Sequence, residues 1–181
     1  MKIDARRLRL YAVTDRAWAH DTQGLLRQVA AAIDGGAGVV QLREKRLDQA
    51  DFLAEAEEFV ALCREKGAVS IINDNVDIAA QVGADGVHIG QEDLEAGRAR
   101  ELLGPDKVIG VSAHSVAEAL AAQAAGADYL GVGAAFVTGT KTDAKPISRE
   151  TIRAITAAVD IPLVPIGGTS RDNILELRDS R

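Results

Sequence analysis

The chain has 181 residues, of which 47% are hydrophobic, and a formal net charge of −6 at pH 7. This length supports one sizeable core but not two, so we expect a single domain over residues 1–181. The acidic balance gives no general attraction to nucleic acid or anionic lipid, which argues against both as partners. No stretch approaches the roughly 18 apolar residues of a membrane span, and the N-terminus has no secretory apolar region, which predicts a cytoplasmic protein without membrane contact.

Seven short apolar runs alternate with longer segments of helical periodicity. We predict that the runs are strands at residues 8–15, 38–45, 68–74, 86–90, 107–114, 129–136 and 162–168. Between them, apolar residues recur every three or four positions, as one buried helix face requires. The predicted faces are formed by Leu25, Leu26, Val29 and Ile33, then Phe52, Phe59 and Leu62, then Val116, Leu120 and Ala124.

Gly-Ala pairs at 36–37, 67–68, 83–84 and 126–127 end four of the predicted helices. Glycine supplies the left-handed residue that ends a helix before the next strand. Repeated βα units build a parallel sheet, and so many in succession favour closure into an α/β barrel of the (β/α)8 or TIM type. The turn after the first strand, at 14–16, lacks G-x-G-x-x-G, so nicotinamide binding is not expected.

Polar residues follow every predicted strand. They include Asp15; Gln41, Arg43 and Lys45; Asn73 and Asp74; His88 and 91–93; Ser112 and His114; 138–141; and Gly167 with Gly168. In a parallel barrel the active site lies at the carboxyl ends of the strands. Surface solvation would explain one such ending, whereas seven together predict a functional site.

The second ending is the most informative. Gln41, Arg43 and Lys45 alternate along a predicted strand and should project to one face, into the barrel mouth. Two cations and an amide converging there require an anion, and a diphosphate is a natural candidate. The alternative is that Arg43 pairs with Glu44 or Asp74 as part of the scaffold.

Two carboxylates, Asp74 and Asp93, follow successive strands and could approach each other across the rim. Hard oxygen ligands with only two protein charges suit Mg²⁺, which takes its remaining ligands from water and substrate phosphates. The alternative is that either residue is a helix N-cap. No Cys/His cluster occurs in the sequence, which argues against zinc.

The ends of the sixth and seventh strands offer further donors to an anion, so two anion pockets are suggested. Thr138-Gly139-Thr140-Lys141 offers hydroxyls, backbone N–H groups and an ammonium, although a solvated turn would look alike. Gly167-Gly168 precedes a helical stretch at 173–177, which would place bare amides at a positive helix end.

The sequence offers no nucleophile for covalent catalysis. Cys63 lies within an amphipathic helical pattern and is predicted to be a small buried hydrophobe. We expect His20 to lie at the surface and His88 to be a hydrogen-bonded packing residue. The role of His114 is ambiguous. No Ser/His/Asp or Cys/His set assembles.

The motifs, taken in order, resemble those of the thiamine-phosphate synthase family along nearly the whole chain. They are YAVTD, QLREK, IIND, DGVHIGQEDL, GVSAH, GADYLGVGAAF, T-x-TK and PIGG. The resemblance implies a diphosphate site for hydroxymethylpyrimidine diphosphate formed by Gln41, Arg43, Lys45 and Asn73, with Mg²⁺ on Asp74 and Asp93. It further implies diphosphate or pyrimidine contacts for Ser112 and Lys141, and a thiazole-phosphate pocket formed by Thr138, Thr140 and Gly168.

The resemblance also implies a reaction. Mg²⁺, Arg43, Lys45 and Lys141 would stabilise the departing pyrophosphate, the aminopyrimidine would carry the developing cation, and the thiazole nitrogen would attack it. Two alternatives remain open: a thiazole tautomerase-like isomerase of the same superfamily, and a non-catalytic ligand-binding barrel fragment. Formation of a homo-oligomer is also left open.

The chain stops at Arg181, before the eighth strand and the Val-Ser segment that the family would place there. We therefore expect a C-terminally incomplete barrel of seven strands, or a gap that another chain covers. In that case the isolated chain should bind the pyrimidine diphosphate with Mg²⁺ and bind thiazole phosphate more weakly.

Overall fold

The computed structural model describes residues 3–90, 96–138 and 146–178, in which strands and helices alternate. The strands are β1 (Tyr11–Val13), β2 (Val39–Leu42), β3 (Val69–Asn73), β4 (Gly86–Ile89), β5 (Val108–Ala113), β6 (Tyr129–Val132) and β7 (Leu163–Pro165). The α-helices are α1 (Thr22–Asp34), α2 (Gln49–Lys66), α3 (Val76–Gln81), α4 (Ala96–Leu103), α5 (Val116–Ala124) and α6 (Arg149–Ala158). Three 3₁₀ helices cover Ala5–Arg9, Arg16–Trp18 and Ile174–Leu177.

The strands form one parallel sheet in the order β1-β2-β3-β4-β5-β6-β7. Each strand pairs with its neighbour in the sequence, which is the arrangement that right-handed βα units produce. The sheet is nearly closed into a barrel, as predicted, and β1 and β7 are its two edges among the described residues. All seven predicted strands are confirmed. The strands are shorter than the predicted runs, because the polar residues that end each run lie beyond the paired part of the strand.

Alternation along the strands separates two apolar layers. Val40 and Leu42 of β2 face outward and join a large cluster with the helices, whereas Val39 faces the barrel interior. The interior cluster fills the end of the barrel at which the strands begin. Its buried members are Ile3, Leu8, Val39, Ile71, Val108 and Tyr129.

The next interior layer, toward the carboxyl ends of the strands, is polar. Alternation places Gln41 two residues beyond Val39, and Asn73 two residues beyond Ile71. His88 and Ser112 occupy interior positions of β4 and β5. The barrel interior therefore has an apolar layer where the strands begin and a polar layer nearer their carboxyl ends.

The predicted buried face of α5 is wrong at two of its three positions, because Leu120 and Ala124 are both exposed and only Val116 is partly buried. Leu120 is 44% exposed, whereas Ala119 is buried against the sheet. Alanine lets this helix pack closely on β5 and β6, so the larger side chain lies on the outer surface. The predicted faces of α1 and α2 are confirmed by the burial of Leu25, Val29 and Phe59.

Each of the four Gly-Ala pairs ends a helix with glycine in the left-handed region, as predicted; Gly67, for example, has φ of 73°. Cys63 of α2 is fully buried. Burial, with a smaller contribution from Asp85, raises the pKa of its thiol to about 12, which leaves it unreactive as predicted. No helix in the described part of the chain is long and apolar enough to cross a membrane.

Candidate active site

A cavity of about 600 Å³ opens at the carboxyl ends of the strands. Its floor is the polar interior layer, and its rim is formed by the loops that follow the strands. On one side it extends past β1 to Gln28, Val29 and Ala32 of α1. Six of the predicted site residues line it: Gln41, Arg43, Asn73, Ser112, Thr138 and Gly168. Lys45 and Asp74 lie beside it, in contact with each other. Asp93, Thr140 and Lys141 lie outside the described residues.

The end of β2 differs from the sequence prediction. The strand stops at Leu42, so Arg43 and Lys45 belong to the following loop and do not continue one strand face with Gln41. Gln41 is buried, Arg43 is partly buried at the cavity, and the Lys45 side chain is 52% exposed. The three residues therefore step from the barrel interior to its outer rim.

Asp74 is held in an unusual backbone conformation directly after β3. Its φ of 62° lies in the left-handed region, which costs a non-glycine residue about 1–2 kcal/mol. Its backbone N–H donates to the carbonyl of His88 at 2.8 Å, and its carboxylate accepts from Asn73 Nδ2 at 2.5 Å and pairs with Lys45. Strain of this kind concentrates at functional sites. The N-cap of α3 is Asn75, so the alternative of Asp74 as a cap is wrong.

Arg43 does not serve as a scaffold partner for the two neighbouring carboxylates. Glu44 pairs instead with Arg16, and Asp74 pairs with Lys45. Within the described ranges, no ion pair links Arg43 to Glu44 or Asp74. Arg43 lines the cavity, where an anionic ligand could reach its side chain.

Sequence reasoning missed a buried ion-pair network behind this loop. Arg16 Nη2 lies 2.7 Å from Glu44 Oε2 and 2.5 Å from Glu55 Oε2. Both carboxylate side chains are only 1% exposed, and Thr22 donates a further hydrogen bond to Glu55 at 2.7 Å. The three charges come from separate segments of the chain, so no local spacing reveals the network.

Glu44 also organises the loop that carries the two cations. Its Oε1 accepts from the backbone N–H groups of Lys45 at 2.6 Å, Arg46 at 2.5 Å and Leu47 at 3.3 Å. Burial opposes ionisation of this carboxyl, but these amides and the Arg16 guanidinium outweigh it and lower the pKa of Glu44. The ionised side chain therefore closes the turn that positions Arg43 and Lys45.

A chain of hydrogen bonds crosses the floor of the cavity. Gln41 Nε2 donates to Tyr11 Oη at 2.8 Å, and Tyr11 Oη lies 2.7 Å from Tyr129 Oη. His88 lies between Tyr129 Oη, 3.0 Å from Nδ1, and Ser112 Oγ, 3.1 Å from Nε2. The prediction of His88 as a hydrogen-bonded packing residue is confirmed. Sequence reasoning missed both tyrosines, since each lies in an apolar run and resembles an ordinary core residue.

The opposite rim, after β6 and β7, is built from backbone. The N–H of Ala135 donates to the carbonyl of Ile166 at 2.8 Å, and the N–H of Phe136 donates to that of Gly167 at 2.9 Å. Gly168 has φ of 66°, and a Cβ at that position would lie 2.3 Å from the carbonyl oxygen of Val137. Only glycine fits there. The predicted helical stretch that follows is a single 3₁₀ turn, Ile174–Leu177.

Two more residues, Trp18 and His114, line the cavity away from the charged rim. Trp18 ends the 3₁₀ helix that begins at Arg16, is 76% exposed and lines the cavity. His114, ambiguous in the sequence, places Nδ1 3.2 Å from a carboxylate oxygen of Glu118. His20 is exposed, as predicted.

Comparison with known proteins decides the family. The family model described as thiamine monophosphate synthase matches residues 10–181. The chain belongs to the thiamine monophosphate synthase family. It is 48% identical over 171 residues to the thiamine-phosphate synthase of Ruminiclostridium cellulolyticum, covering 94% of this chain and 81% of that protein. It is 53% identical over 149 residues to the thiamine-phosphate synthase of Moorella thermoacetica, covering 82% of this chain and 71% of that protein.

A solved structure agrees with the sequence relatives. The thiamine phosphate pyrophosphorylase from Pyrococcus furiosus superposes with a TM-score of 0.87 at 38% identity, covering 98% of this chain and 84% of that one. Membership of the thiamine monophosphate synthase family makes this protein a transferase, as predicted. The family resemblance noted in the sequence is thereby confirmed.

Proposed function

We propose that the chain condenses hydroxymethylpyrimidine diphosphate with hydroxyethylthiazole phosphate to give thiamine phosphate and pyrophosphate. The proposal combines family membership with one observation: cationic side chains and a strained carboxylate meet at the mouth of a cavity of about 600 Å³. An isomerase that acts on thiazole phosphate alone would not need these charged side chains, because it has no diphosphate to bind.

The β2 and β3 side of the rim suits the diphosphate. Arg43 lines the cavity with a guanidinium that can bind two phosphate oxygens at once, and Lys45 adds a point charge. Asn73 and Ser112 supply neutral donors deeper in the cavity. Lys141, which lies outside the described residues, is proposed as a third cation on the family resemblance.

Mg²⁺ is proposed to bind at Asp74, together with Asp93, which lies outside the described residues. The Asp74 carboxylate provides hard oxygens at the rim, although Lys45 and Asn73 contact it. A single described carboxylate makes a sparse ligand set, which fits an ion that retains waters and bridges to substrate phosphates. When bound, Mg²⁺ would neutralise diphosphate charge. The geometry at Asp74 is compatible with that role, because its carboxylate is turned toward the residues that would hold the diphosphate.

The residues of the chain can assist a dissociative reaction without a protein nucleophile. As the bond from the pyrimidine methylene to the diphosphate oxygen breaks, the bonding electron pair leaves with pyrophosphate. Arg43 and Lys45 stabilise that charge, and the aminopyrimidine ring carries the positive charge. The thiazole nitrogen then donates its lone pair to the methylene carbon. The cavity walls orient both rings and limit the access of water.

The glycine-rich rim after β7 is proposed to bind the thiazole phosphate. Gly168 brings bare backbone close to the segment that ends at Thr138, and both residues line the cavity. Backbone N–H groups and a hydroxyl suit a phosphate monoester. Thr140, outside the described residues, is proposed to add a second hydroxyl.

A steady-state assay with both substrates tests the proposal. We expect Mg²⁺-dependent release of pyrophosphate together with thiamine phosphate, and loss of both with a chelator. Arg43→Ala should lower kcat/KM by about 10²-fold, as loss of one donor to a developing anion does. Arg46→Ala, which removes an exposed guanidinium from the same loop, is the matched control and should keep wild-type activity. Full activity of Arg43→Ala would refute the proposed diphosphate site.

A further inference from the structure

The two carboxylate oxygens of Glu44 contact two different segments of the chain. Oε1 accepts from three consecutive backbone N–H groups, those of Lys45, Arg46 and Leu47. Oε2 lies 2.9 Å from Nε and 2.7 Å from Nη2 of Arg16. One side chain therefore joins the loop after β2 to the 3₁₀ helix that begins at Arg16.

The three amides form a nest, which is the backbone arrangement that commonly binds a free anion. Here an oxygen of the same chain fills the nest, and the Glu44 side chain that provides it is only 1% exposed. The N–H groups of residues 45–47 therefore point to a buried oxygen. The loop meets a ligand through its side chains, because Arg43 lines the cavity and Lys45 lies beside it.

An ionised carboxylate is the group that satisfies both sets of partners of Glu44. Arg16 and the three amides all donate hydrogens, so both ends of the side chain must accept. A glutamine has nearly the same size, but it accepts at one end and donates at the other. Its NH₂ group would face either the amides or the Arg16 guanidinium, and burial would leave those donors without an acceptor.

The other side of Arg16 is held by a second buried carboxylate. Glu55 of α2 accepts from Arg16 Nη2 at 2.7 Å and 2.5 Å, and the Thr22 hydroxyl of α1 donates to it at 2.7 Å. Arg16 therefore offers Glu44 a guanidinium whose position is set by two helices. Glu44 passes that fixed position on to the loop.

We propose that Glu44 is a positioning residue that sets the affinity of the rim for a diphosphate without contacting it; this inference rests on the proposed function. Arg43 and Lys45 flank Glu44 in the sequence, so a change in the turn displaces both cations. The Lys45 ammonium also contacts the Asp74 carboxylate, so the same turn determines where that pair meets. A displacement of about 1 Å at such groups can lower a rate by about 10²-fold.

Glu55 provides a matched control for the loss of a buried charge. Its side chain is 1% exposed, as is that of Glu44, and it pairs with the same arginine. Its described partners are Arg16 and Thr22, whereas those of Glu44 include the loop amides. Glu55→Gln can still accept from both partners through its amide oxygen. It should therefore lower the free energy of unfolding and leave diphosphate binding unchanged.

Hydrogen exchange tests the nest before any ligand is added. We expect the amides of residues 45–47 to be protected in the wild-type protein and in Glu55→Gln. In Glu44→Gln they should exchange roughly tenfold faster, since a turn that has lost a buried hydrogen bond opens more often. Equal exchange rates in Glu44→Gln and the wild-type protein overturn the proposal.

Calorimetric titration with inorganic pyrophosphate in the presence of Mg²⁺ tests the consequence for binding. Glu44→Gln should bind pyrophosphate roughly tenfold more weakly, because the ligand must then restore the turn, and Glu55→Gln should bind as the wild-type protein does. Glu44→Asp keeps the charge with a shorter side chain and should show a smaller loss, which covers the case in which Glu44→Gln does not fold. Unchanged affinity in the Glu44 variants, or an equal loss in Glu55→Gln, overturns the proposal.

The two-substrate assay separates positioning from a general loss of structure. Glu44→Gln should raise the KM for the pyrimidine diphosphate and lower its kcat/KM by about 10- to 100-fold, with an unchanged KM for thiazole phosphate. An equal rise in both KM values overturns the proposal. A wild-type protein that binds pyrophosphate through the Glu44-dependent loop but does not turn over the two substrates contradicts the proposed function and supports this inference. Failure of the wild-type protein to bind pyrophosphate overturns both.

Discussion

The two sides of the cavity rim are built by different means. The side after β2 and β3 carries charged side chains, and a buried network of Arg16, Glu44 and Glu55 holds its loop in place. The side after β6 and β7 carries glycines, and backbone hydrogen bonds between the two loops hold it. The side after β2 and β3 therefore presents charged groups on long side chains, and buried ion pairs hold their loop. The side after β6 and β7 presents backbone N–H groups.

The difference corresponds to the two proposed ligands. A diphosphate that leaves during the reaction gains negative charge, and mobile cations at the end of long side chains can follow that charge. A phosphate monoester that only anchors its molecule keeps its charge, and fixed backbone N–H groups suffice for it. Each side of the rim should therefore depend on the feature that distinguishes it.

The largest effect is expected from removing the support of the charged side. Arg16→Leu leaves the carboxylates of Glu44 and Glu55 buried without their cation, which should lower the free energy of unfolding by about 3–5 kcal/mol. Urea denaturation measures this. Arg6→Leu, which breaks the exposed pair with Asp4, is the control and should cause no measurable loss. Equal stability of both variants would show that the network is not a support.

The next effect concerns the charge itself. Lys45→Ala should reduce kcat/KM for the diphosphate by about 10²-fold with little change in the KM for thiazole phosphate. Lys66→Ala, which removes the lysine paired with Asp34 at the end of α2, should leave both parameters unchanged. A comparable rise in both KM values for Lys45→Ala would mean that the two sides are not independent.

A smaller effect is expected on the backbone side. Gly168→Ala adds a Cβ to a left-handed residue and against Val137, so the KM for thiazole phosphate should rise by roughly tenfold and stability should fall by about 1–3 kcal/mol. Gly83→Ala is a matched control, because φ there is 65° with no atom within 4 Å of the added carbon. It should lose about 1 kcal/mol and keep its KM. Identical KM values in the two variants would exclude a phosphate contact at this rim.

The smallest effect is a pH dependence of stability. The folded protein lowers the pKa of Glu44 below its usual value of 4.5, so the stabilisation is fully present above about pH 4.5 and is lost as pH falls through the folded pKa. Unfolding free energies of Glu44→Gln should therefore decline less steeply below pH 4.5 than those of the wild-type protein. Parallel curves would contradict the lowered pKa.

Much of this comparison could be predicted from the sequence, because periodicity reports local geometry. All seven strands, the glycine helix ends and the position of Gln41 beside the cavity follow from the spacing of apolar residues. The order of the polar endings also predicts the charged side chains of the rim after β2 and the glycines of the rim at Gly168. The predictions that Cys63 is buried and that His88 is a hydrogen-bonded packing residue are also confirmed, because both rest on the apolar pattern around each residue.

What could not be predicted depends on contacts distant in sequence. Arg16 meets Glu55 across 39 positions, and Tyr11 meets Tyr129 across 118. Neither pairing leaves a periodic signal, since a buried tyrosine or glutamate occupies the same strand or helix position as an ordinary core or surface residue. The burial of Ala119 in place of Leu120 has a similar origin, because it depends on how closely α5 approaches the sheet.

The exposed Trp18 gives the protein an optical property that none of its other side chains provides. It is the only tryptophan in the chain, it lines the cavity, and it ends the same short helix that begins at Arg16. Its fluorescence therefore originates at one known point on the cavity wall, in contact with solvent. Entry of either proposed ligand should therefore change the solvent quenching of Trp18, so a titration can be followed by the intrinsic emission of the unlabelled protein.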